Sequence, residues 1–365
     1  MSFILFNKMF LQCLFLAVLS ISLIFFQSKY LILVDTPGKE KHKLNNNKNT
    51  PLTGGIYLFL AILANTLYAG FEKESFNVVL FLSFFLILGI YSDINKNFTP
   101  RSRLLWQISL VILLIVFLDL RINKTNVFFL DYFINNNIFN LIFTAFCMLV
   151  LLNGSNFCDG VNCNVIGYYL LVTLAIFFSR LPLPMNLMDI EIVLSIFFIF
   201  FIFNLFKKYF LGDNGAYLIS IFMSIYVIEF INFNNNISSL LALNLLWYPA
   251  FENLFSIIRR SLTNAKVQVA DRNHLHILIF KTIAKKNSIN ISNSLTGILL
   301  NIFMSIGIFS SIKFYNNNAV LISILLLNII AYLILYYYFL LINKNLNFSK
   351  KTIRATDSKK DIKNK

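Results

Sequence analysis

Five aspartates, Asp35, Asp93, Asp159, Asp213 and Asp271, are spread along a chain that is otherwise poor in charge. Each sits in a polar stretch between apolar runs or at the end of one. All three histidines, His42, His274 and His276, fall in such stretches too. A hard cation such as Mg²⁺ takes a few carboxylates and shares the rest of its sphere with phosphate oxygens. Lys39, Lys41, Arg101, Arg103, Lys207, Lys208 and Arg272 accompany the acids. Carboxylates for a metal and basic groups for phosphate, gathered at a membrane surface, point to phosphoryl transfer involving a lipid phosphate. The plainer alternative is that each aspartate is a solvated loop charge.

The local strings sharpen this. In F-L-G-D-N-G (210–215), Gly212 and Gly215 let the backbone turn tightly before a helix. A helix N-terminus favours anions, so Asp213 stands where a metal–diphosphate complex would be stabilised. The competing reading is a simple N-cap by Asp213. N-G-S-N-F-C-D-G-V-N (153–162) is a polar stretch without a basic residue, and it carries Asn153, Asn156 and Asp159. G-I-Y-S-D (89–93) puts Asp93 at the end of an apolar run. In D-R-N-H-L-H (271–276) the histidines stand at i and i+2, a spacing that suits a loop or strand gripping a ligand. Cys158 and Cys163 frame C-D-G-V-N-C, which is weak as a metal pair. Cys13 and Cys147 fall in apolar runs and read as packing.

The elements that must position these residues are membrane helices. The chain of 365 residues is 58% hydrophobic and 13% charged, against roughly 45–50% and ~25% in soluble domains. A soluble enzyme, a disordered chain and an alternating-strand outer-membrane barrel are all excluded. Eleven apolar runs stand out, at about 9–27, 54–70, 77–91, 104–120, 138–152, 165–179, 190–206, 214–230, 237–251, 294–312 and 319–342. The first lacks a small-residue cleavage site and reads as a span. With the N-terminus outside, 25 of the 31 Lys and Arg fall in inside segments, which sets the N-terminus outside and the C-terminus inside. The expected fold is therefore all-α, with about 11 transmembrane helices. Residues 1–343 read as one transmembrane catalytic domain and 344–365 as a basic, disordered tail on the cytoplasmic side. The net charge of +15 marks loops facing anionic lipid, and no nucleic-acid partner is expected. Asn-rich loops, with N-N-N at 45–47, 135–137, 234–236 and 316–318, reflect biased composition.

Taken together, six strings resemble the polyprenyl-phosphate N-acetylhexosamine-1-phosphate transferase family (glycosyltransferase family 4). They are V-D-T-P (34–37), K-H…T-P-L-T-G-G-I (41–56), G-I-Y-S-D, N-G-S-N-F-C-D-G-V-N, F-L-G-D-N-G and D-R-N-H-L-H, in order and spanning about 30–280. W-Y-P-A-F-E-N-L-F-S-I-I-R-R (247–260) looks like a stretch found in some bacterial members. The resemblance implies that a polyprenyl (undecaprenyl) phosphate attacks the β-phosphate of a UDP-sugar, with Mg²⁺, or Mn²⁺ in its place, neutralising the diphosphate and UMP leaving. By motif match Asp213 is the principal metal ligand with Asp159 beside it, and Asp93 and Asp213 are the catalytic carboxylates. Lys41, His42, Asn153, Asn156, Asp159, Arg272, His274 and His276 are then substrate-binding.

The chain departs from the family's pattern at Ser92, where many members carry a second aspartate, at Asn162 in place of an aspartate, and at Ile277 in place of a further histidine. The absence of a three-histidine run turns the reading away from the pentapeptide translocase and towards a hexosamine transferase, and the three departures together keep an inactive homologue open. The resemblance also implies a bacterial inner membrane, an active site on its cytoplasmic face, a role at the start of surface polysaccharide synthesis (lipopolysaccharide or O-antigen among them) and a homodimer as the assembly to test. The alternatives are a transporter or lipid carrier and an inactive homologue. Against transport, Asp119, Glu229 and Glu252 are expected towards span ends, leaving the middles nearly uncharged.

Overall fold

The computed structural model describes residues 15, 18, 21–22, 50–69, 73–95, 97–184, 188–262 and 273–363. From residue 54 onward the chain folds as α1 (Gly54–Ala69), α2 (Lys73–Ile94), α3 (Pro100–Leu118), α4 (Phe128–Ile134), α5 (Asn137–Cys158), α6 (Asn164–Ser179), α7 (Ile190–Leu205), α8 (Gly212–Phe233), α9 (Leu240–Leu262), α10 (Leu275–Ile283), α11 (Ile289–Lys313) and α12 (Asn318–Lys363). Among the described residues seven helices are long and apolar enough to cross a membrane, and α1, α6 and α7 are shorter apolar helices. The architecture is thus an all-helical, polytopic membrane bundle. These helices coincide with the apolar runs expected from residue 54 on. Of the first run only Phe15, Val18, Ile21 and Ser22 are described, and the side chains of 345–365 lie outside the described residues.

Helix α8 is the axis of the bundle. It packs against α1, α2 and α5, and 78% of its apolar window is buried. A helix apolar all round has to be enclosed by others. The small residues Ala216, Ser220 and Ser224 admit these neighbours at close range, and both serine hydroxyls bond back to carbonyls of their own helix. By contrast α3 and α12 lie at the periphery, with 22% and 17% of their windows buried.

The connections alternate between two ends. At one end Asn123 N–H donates to Asn232 (3.2 Å) and Asn234 Nδ2 to the Pro182 carbonyl (2.9 Å). There too Ser239 N–H donates to Asn126 (2.8 Å) and Ser238 N–H to the Tyr315 carbonyl (2.9 Å). The opposite end gathers the start of α1, the end of α2, the ends of α5 and α7 and the starts of α8, α10 and α11. Every described motif of the sequence is at that end.

Three boundaries differ from the expectation. Helix α5 runs on to Cys158, so Asn153 and Asn156 occupy its last turns and not a loop. Asn153 Nδ2 and Ser155 Oγ bond to carbonyls four residues back (3.0 and 2.8 Å), so polar residues are absorbed into the helix. Helix α9 extends to Leu262, which puts Glu252 near its middle instead of at a span end; the charge is tolerated because both carboxylate oxygens are partnered, as described below. His274 is the N-cap of α10 and His276 lies in its first turn, within a stretch from Leu275 to Phe280 that is buried throughout. Sequence periodicity did not single out α4 or α10, both under ten residues long.

Pro249 stands inside α9, where its ring leaves the carbonyl of Leu245 without an intrahelical donor. Tyr168 of α6 replaces it: its hydroxyl donates to Leu245 O (2.8 Å) and accepts from Tyr248 N–H (3.3 Å). In a bundle core without water that carbonyl has to be satisfied by a side chain. Tyr168→Phe should therefore cost about 1–3 kcal/mol, read as a lower midpoint of thermal unfolding in detergent. An unchanged midpoint would show that the carbonyl finds another donor.

Candidate active site

The start of α8 has no cap of its own. Its N-cap residue is Leu211, which has no side-chain acceptor, and Gly212 sits at φ +68°, a left-handed conformation open to glycine at little cost. The exposed N–H groups are capped from another helix. Asp93, in the last turn of α2, accepts from Asp213 N–H and Asn214 N–H (3.1 Å each) and from Asn214 Nδ2 (2.6 Å). A carboxylate at a helix N-terminus is stabilised by both these bonds and the helix dipole. Asn214, fully buried, completes the junction: its Nδ2 also reaches the Leu52 carbonyl (2.9 Å), and its Oδ1 accepts from Gly55 N–H (2.8 Å). The segment before α8 pairs with the segment before α1, through Gly54 N–H to Phe210 O (3.1 Å) and Phe210 N–H to Pro51 O (2.8 Å).

This leaves the Asp213 side chain facing out of the bundle end, half-buried. Its Oδ2 accepts from Ser92 Oγ (2.6 Å) and Arg103 Nη1 (3.0 Å), and Tyr217 Oη stands at 3.5 Å. Its Oδ1 accepts from Asn156 Nδ2 (2.6 Å). The competing N-cap reading for Asp213 does not hold, since its oxygens serve other helices. Arg103 is delivered by a well-formed helix start: Thr99 caps α3 by accepting from Ser102 N–H (3.2 Å), and Pro100 follows it. Four residues on from the cap, Arg103 reaches across to Asp213.

A second group lies on the other flank of the α5 terminus. His274 Nδ1 is 2.8 Å from Glu252 Oε1 and 3.3 Å from Ser256 Oγ. The His274 ring stacks on His276, with centroids 5.6 Å apart and an interplanar angle of 13°, and packs against Phe157 at 5.4 Å. A Cβ at Gly160 would lie 2.1 Å from His276 Nε2, so His276 rests directly on the turn that contains Asp159. Asp159 itself is the C-cap of α5, half-buried, with its N–H bonded to Asn156 O (3.2 Å).

The structure thus brings Asp93, Asn156 and Asp213 together, and His274, His276 and the Asp159–Gly160 turn together, with α5 between. Asn153 bonds within its own helix. Lys41, His42 and Arg272 lie outside the described residues, as do Asp35, Lys39 and Asp271. Among the basic residues Arg101 is exposed, and Lys207 and Lys208 follow α7, where burial holds the Lys207 ammonium below its ordinary value. The sequence reading gave no role to Tyr217 or Tyr332; Asn214 was legible only as part of the F-L-G-D-N-G string. Glu252 was visible as a lone acid in W-Y-P-A-F-E-N.

Among the described residues no three His, Cys, Asp or Glu side chains form a ready-made metal cage. The donor chemistry nonetheless fits a hard cation that shares its sphere with substrate: one half-exposed carboxylate with a hydroxyl beside it and the Asn156 side-chain amide bonded to it through nitrogen. The cysteines do not fit a metal pair. Cys158 is buried in the last turn of α5 and Cys163 is buried at the start of α6.

Residues 75–231, which carry Asp93, Arg103, Asn156, Asp159 and Asp213, match the family model Glycosyl transferase family 4. That match, with the relatives that follow, supports a phosphosugar transferase, here set in a membrane bundle. The chain is 25% identical, over 254 residues, to the probable undecaprenyl-phosphate N-acetylglucosaminyl 1-phosphate transferase of Bacillus subtilis (strain 168), covering 67% of this chain and 68% of that protein. It is also 28% identical over 123 residues to a phospho-N-acetylmuramoyl-pentapeptide-transferase of Picosynechococcus sp., covering 31% of this chain and 34% of that protein. The resemblance read from the motifs is thereby shown.

Burial pushes the Cys163 thiol up to about 12, because the thiolate is the form that loses solvation. At pH 8 the thiol is therefore neutral and poorly reactive. Maleimide at pH 8 should leave Cys158 and Cys163 unmodified in folded protein and modify both after denaturation, as counted by mass spectrometry. Fast labelling of Cys163 in the folded state would contradict its packing.

Proposed function

We propose that this chain transfers a sugar-1-phosphate, an N-acetylhexosamine-1-phosphate, from a UDP-sugar to polyprenyl (undecaprenyl) phosphate, releasing UMP. The observation that carries the reading is Asp213, held at the mouth of α8 by Ser92, Arg103 and Asn156, within the segment that matches the family. A lipid phosphate oxygen attacks the β-phosphorus, and the bond from that phosphorus to the bridging oxygen breaks. The acceptor is already anionic at neutral pH, so positioning and electrostatics supply the rate and a strong base is not required.

Each residue then has a distinct task. Asp93, which accepts from the first turn of α8, fixes that helix end and with it Asp213. Arg103 neutralises Asp213 in the resting site and offers its charge to an arriving diphosphate. Mg²⁺ or Mn²⁺, when bound, would be held by Asp213 with the Ser92 hydroxyl and the Asn156 amide beside it, and would neutralise charge on the diphosphate. The Asp159 turn and the His274–His276 pair take the nucleotide-sugar side, with Lys41, His42 and Arg272 completing it. In this proposal the site faces the cytoplasm of a bacterial inner membrane, and the product enters surface polysaccharide synthesis.

Purified protein given Mg²⁺, a short-chain polyprenyl phosphate and four UDP-hexosamines separately should release UMP with one of them. Release with none would favour an inactive homologue. Asp213→Asn should keep the fold and lower UMP release on the order of a hundredfold or more, because a charged ligand becomes neutral. Turnover close to the parent's would remove Asp213 from the proposed role.

A further inference from the structure

Glu252 has no part in the transfer as proposed above. It is fully buried near the middle of a helix that is apolar enough to span a membrane. An acid in such a place is costly unless each oxygen is satisfied. Both are: Oε1 by His274 Nδ1 at 2.8 Å, and Oε2 by the hydroxyl of Tyr332 from α12. His274 is itself buried and begins α10. It is backed by Phe157 on one side and stacked on His276 on the other. The Glu252–His274 contact bridges α9 and α10.

A carboxylate that receives one ring nitrogen of a histidine fixes both the tautomer and the plane of the ring. Oε1 is an acceptor, so Nδ1 carries the proton and donates it. Any part that His274 takes in substrate chemistry then falls to Nε2. Tyr332 completes the device: by donating to Oε2 it fixes the carboxylate itself. Tyr332 is walled by Trp247, Phe251 and Phe255 with ring centroids at 6.4, 5.0 and 5.8 Å. The position of the histidine turn is thus set from the peripheral helix α12 through α9, and not by its neighbours in sequence alone.

We infer that Glu252 is a positioning residue, anchored by Tyr332, that presents His274 to the sugar-nucleotide side of the site. The inference rests on the transferase reading for its kinetic consequence, but the pairing itself does not depend on it. Removing the charge without changing the shape disturbs the ring while leaving the lipid phosphate side alone. A purely structural acid would instead weaken every step together.

The test uses the full chain in detergent. Glu252→Gln should raise KM for the UDP-sugar or lower kcat/KM for it by about tenfold, with KM for polyprenyl phosphate within about twofold of the parent. Tyr332→Phe should show a smaller loss in the same parameter. In a His274→Ala background neither substitution should add a further loss, since residues that act through one another are not additive. Additive losses would overturn the inference. With only three histidines in the chain, ¹⁵N-histidine spectra assigned by His→Asn variants give a readout that needs no turnover. His274 should carry its proton on Nδ1 in the parent and change its signature in Glu252→Gln. A His274 with bare Nδ1 would overturn the pairing even if UMP is released. A protonated Nδ1 in a chain that releases no UMP would instead leave the pairing standing and sink the transferase reading. If Glu252→Gln does not fold, Tyr332→Phe carries the same two measurements.

Discussion

The most central helix of the bundle, α8, begins with amide groups that nothing in its own sequence can satisfy, and the site follows from how that is solved. Leu211 cannot cap, so the end of α2 must come close enough for Asp93 to accept from the first turn. Asn214 then ties the same point to the segment before α1. With three segments fixed at one helix end, Asp213 has a single direction left, out of the bundle and towards Asn156 and Arg103. In water an uncapped turn would cost little. At the end of a membrane helix wrapped by others, each unsatisfied N–H costs far more, so the cap is also the constraint that registers α2 against α8.

The same logic explains the asparagines inside the protein. Asn204 Oδ1 accepts from Cys163 N–H and its Nδ2 donates to Tyr209 O (2.6 and 3.0 Å). Asn162 N–H donates to Asn293 Oδ1, and Asn301 Nδ2 donates to Cys163 O (2.6 and 2.7 Å). These side chains give the turn at 159–163 the partners that water would otherwise supply. Asn162, read from sequence as a lost carboxylate, is buried and donates to Asn204 O (3.0 Å). Its amide does what an aspartate could not, because that contact needs a donor. Ser92, the other departure, is a donor to Asp213 where a second carboxylate would have repelled it.

How much of this was legible in the sequence depended on range. The helices from residue 54 on could be read because apolar length is a local property, and Asp93, Asn156 and Asp213 because the strings that carry them are compact. The bonds that assign their tasks could not. Asp93 and Asp213 are 120 residues apart and Glu252 and Tyr332 are 80 apart, and no local pattern says that they meet. Glu252 was misjudged for a related reason: an apolar count ended at Phe251, whereas α9 continues by burying one face of a mixed segment with Pro249 bridged by Tyr168. Asn153 and Asn156 were set in a loop because polarity was taken for irregularity, while backbone bonding kept them helical.

That last point decides the geometry of the site. If 153–158 were a loop, the distance between the Asp213 group and the histidine pair would be set by flexible chain. As a helix, the segment holds Asn156 towards Asp213 on one flank and Phe157 against His274 on the other, one residue and about 100° of rotation apart. The two groups are therefore spaced by a rigid element that is itself packed against both α8 and α9. The reaction proposed for the site, between a lipid phosphate and a nucleotide diphosphate, needs its two partners held at a fixed separation before any bond changes. A helix end can hold that separation without spending conformational entropy at the moment of binding. The glycine at 160 then lets His276 settle on the turn immediately after it, so the rigid spacing extends from Asp213 through α5 to the start of α10.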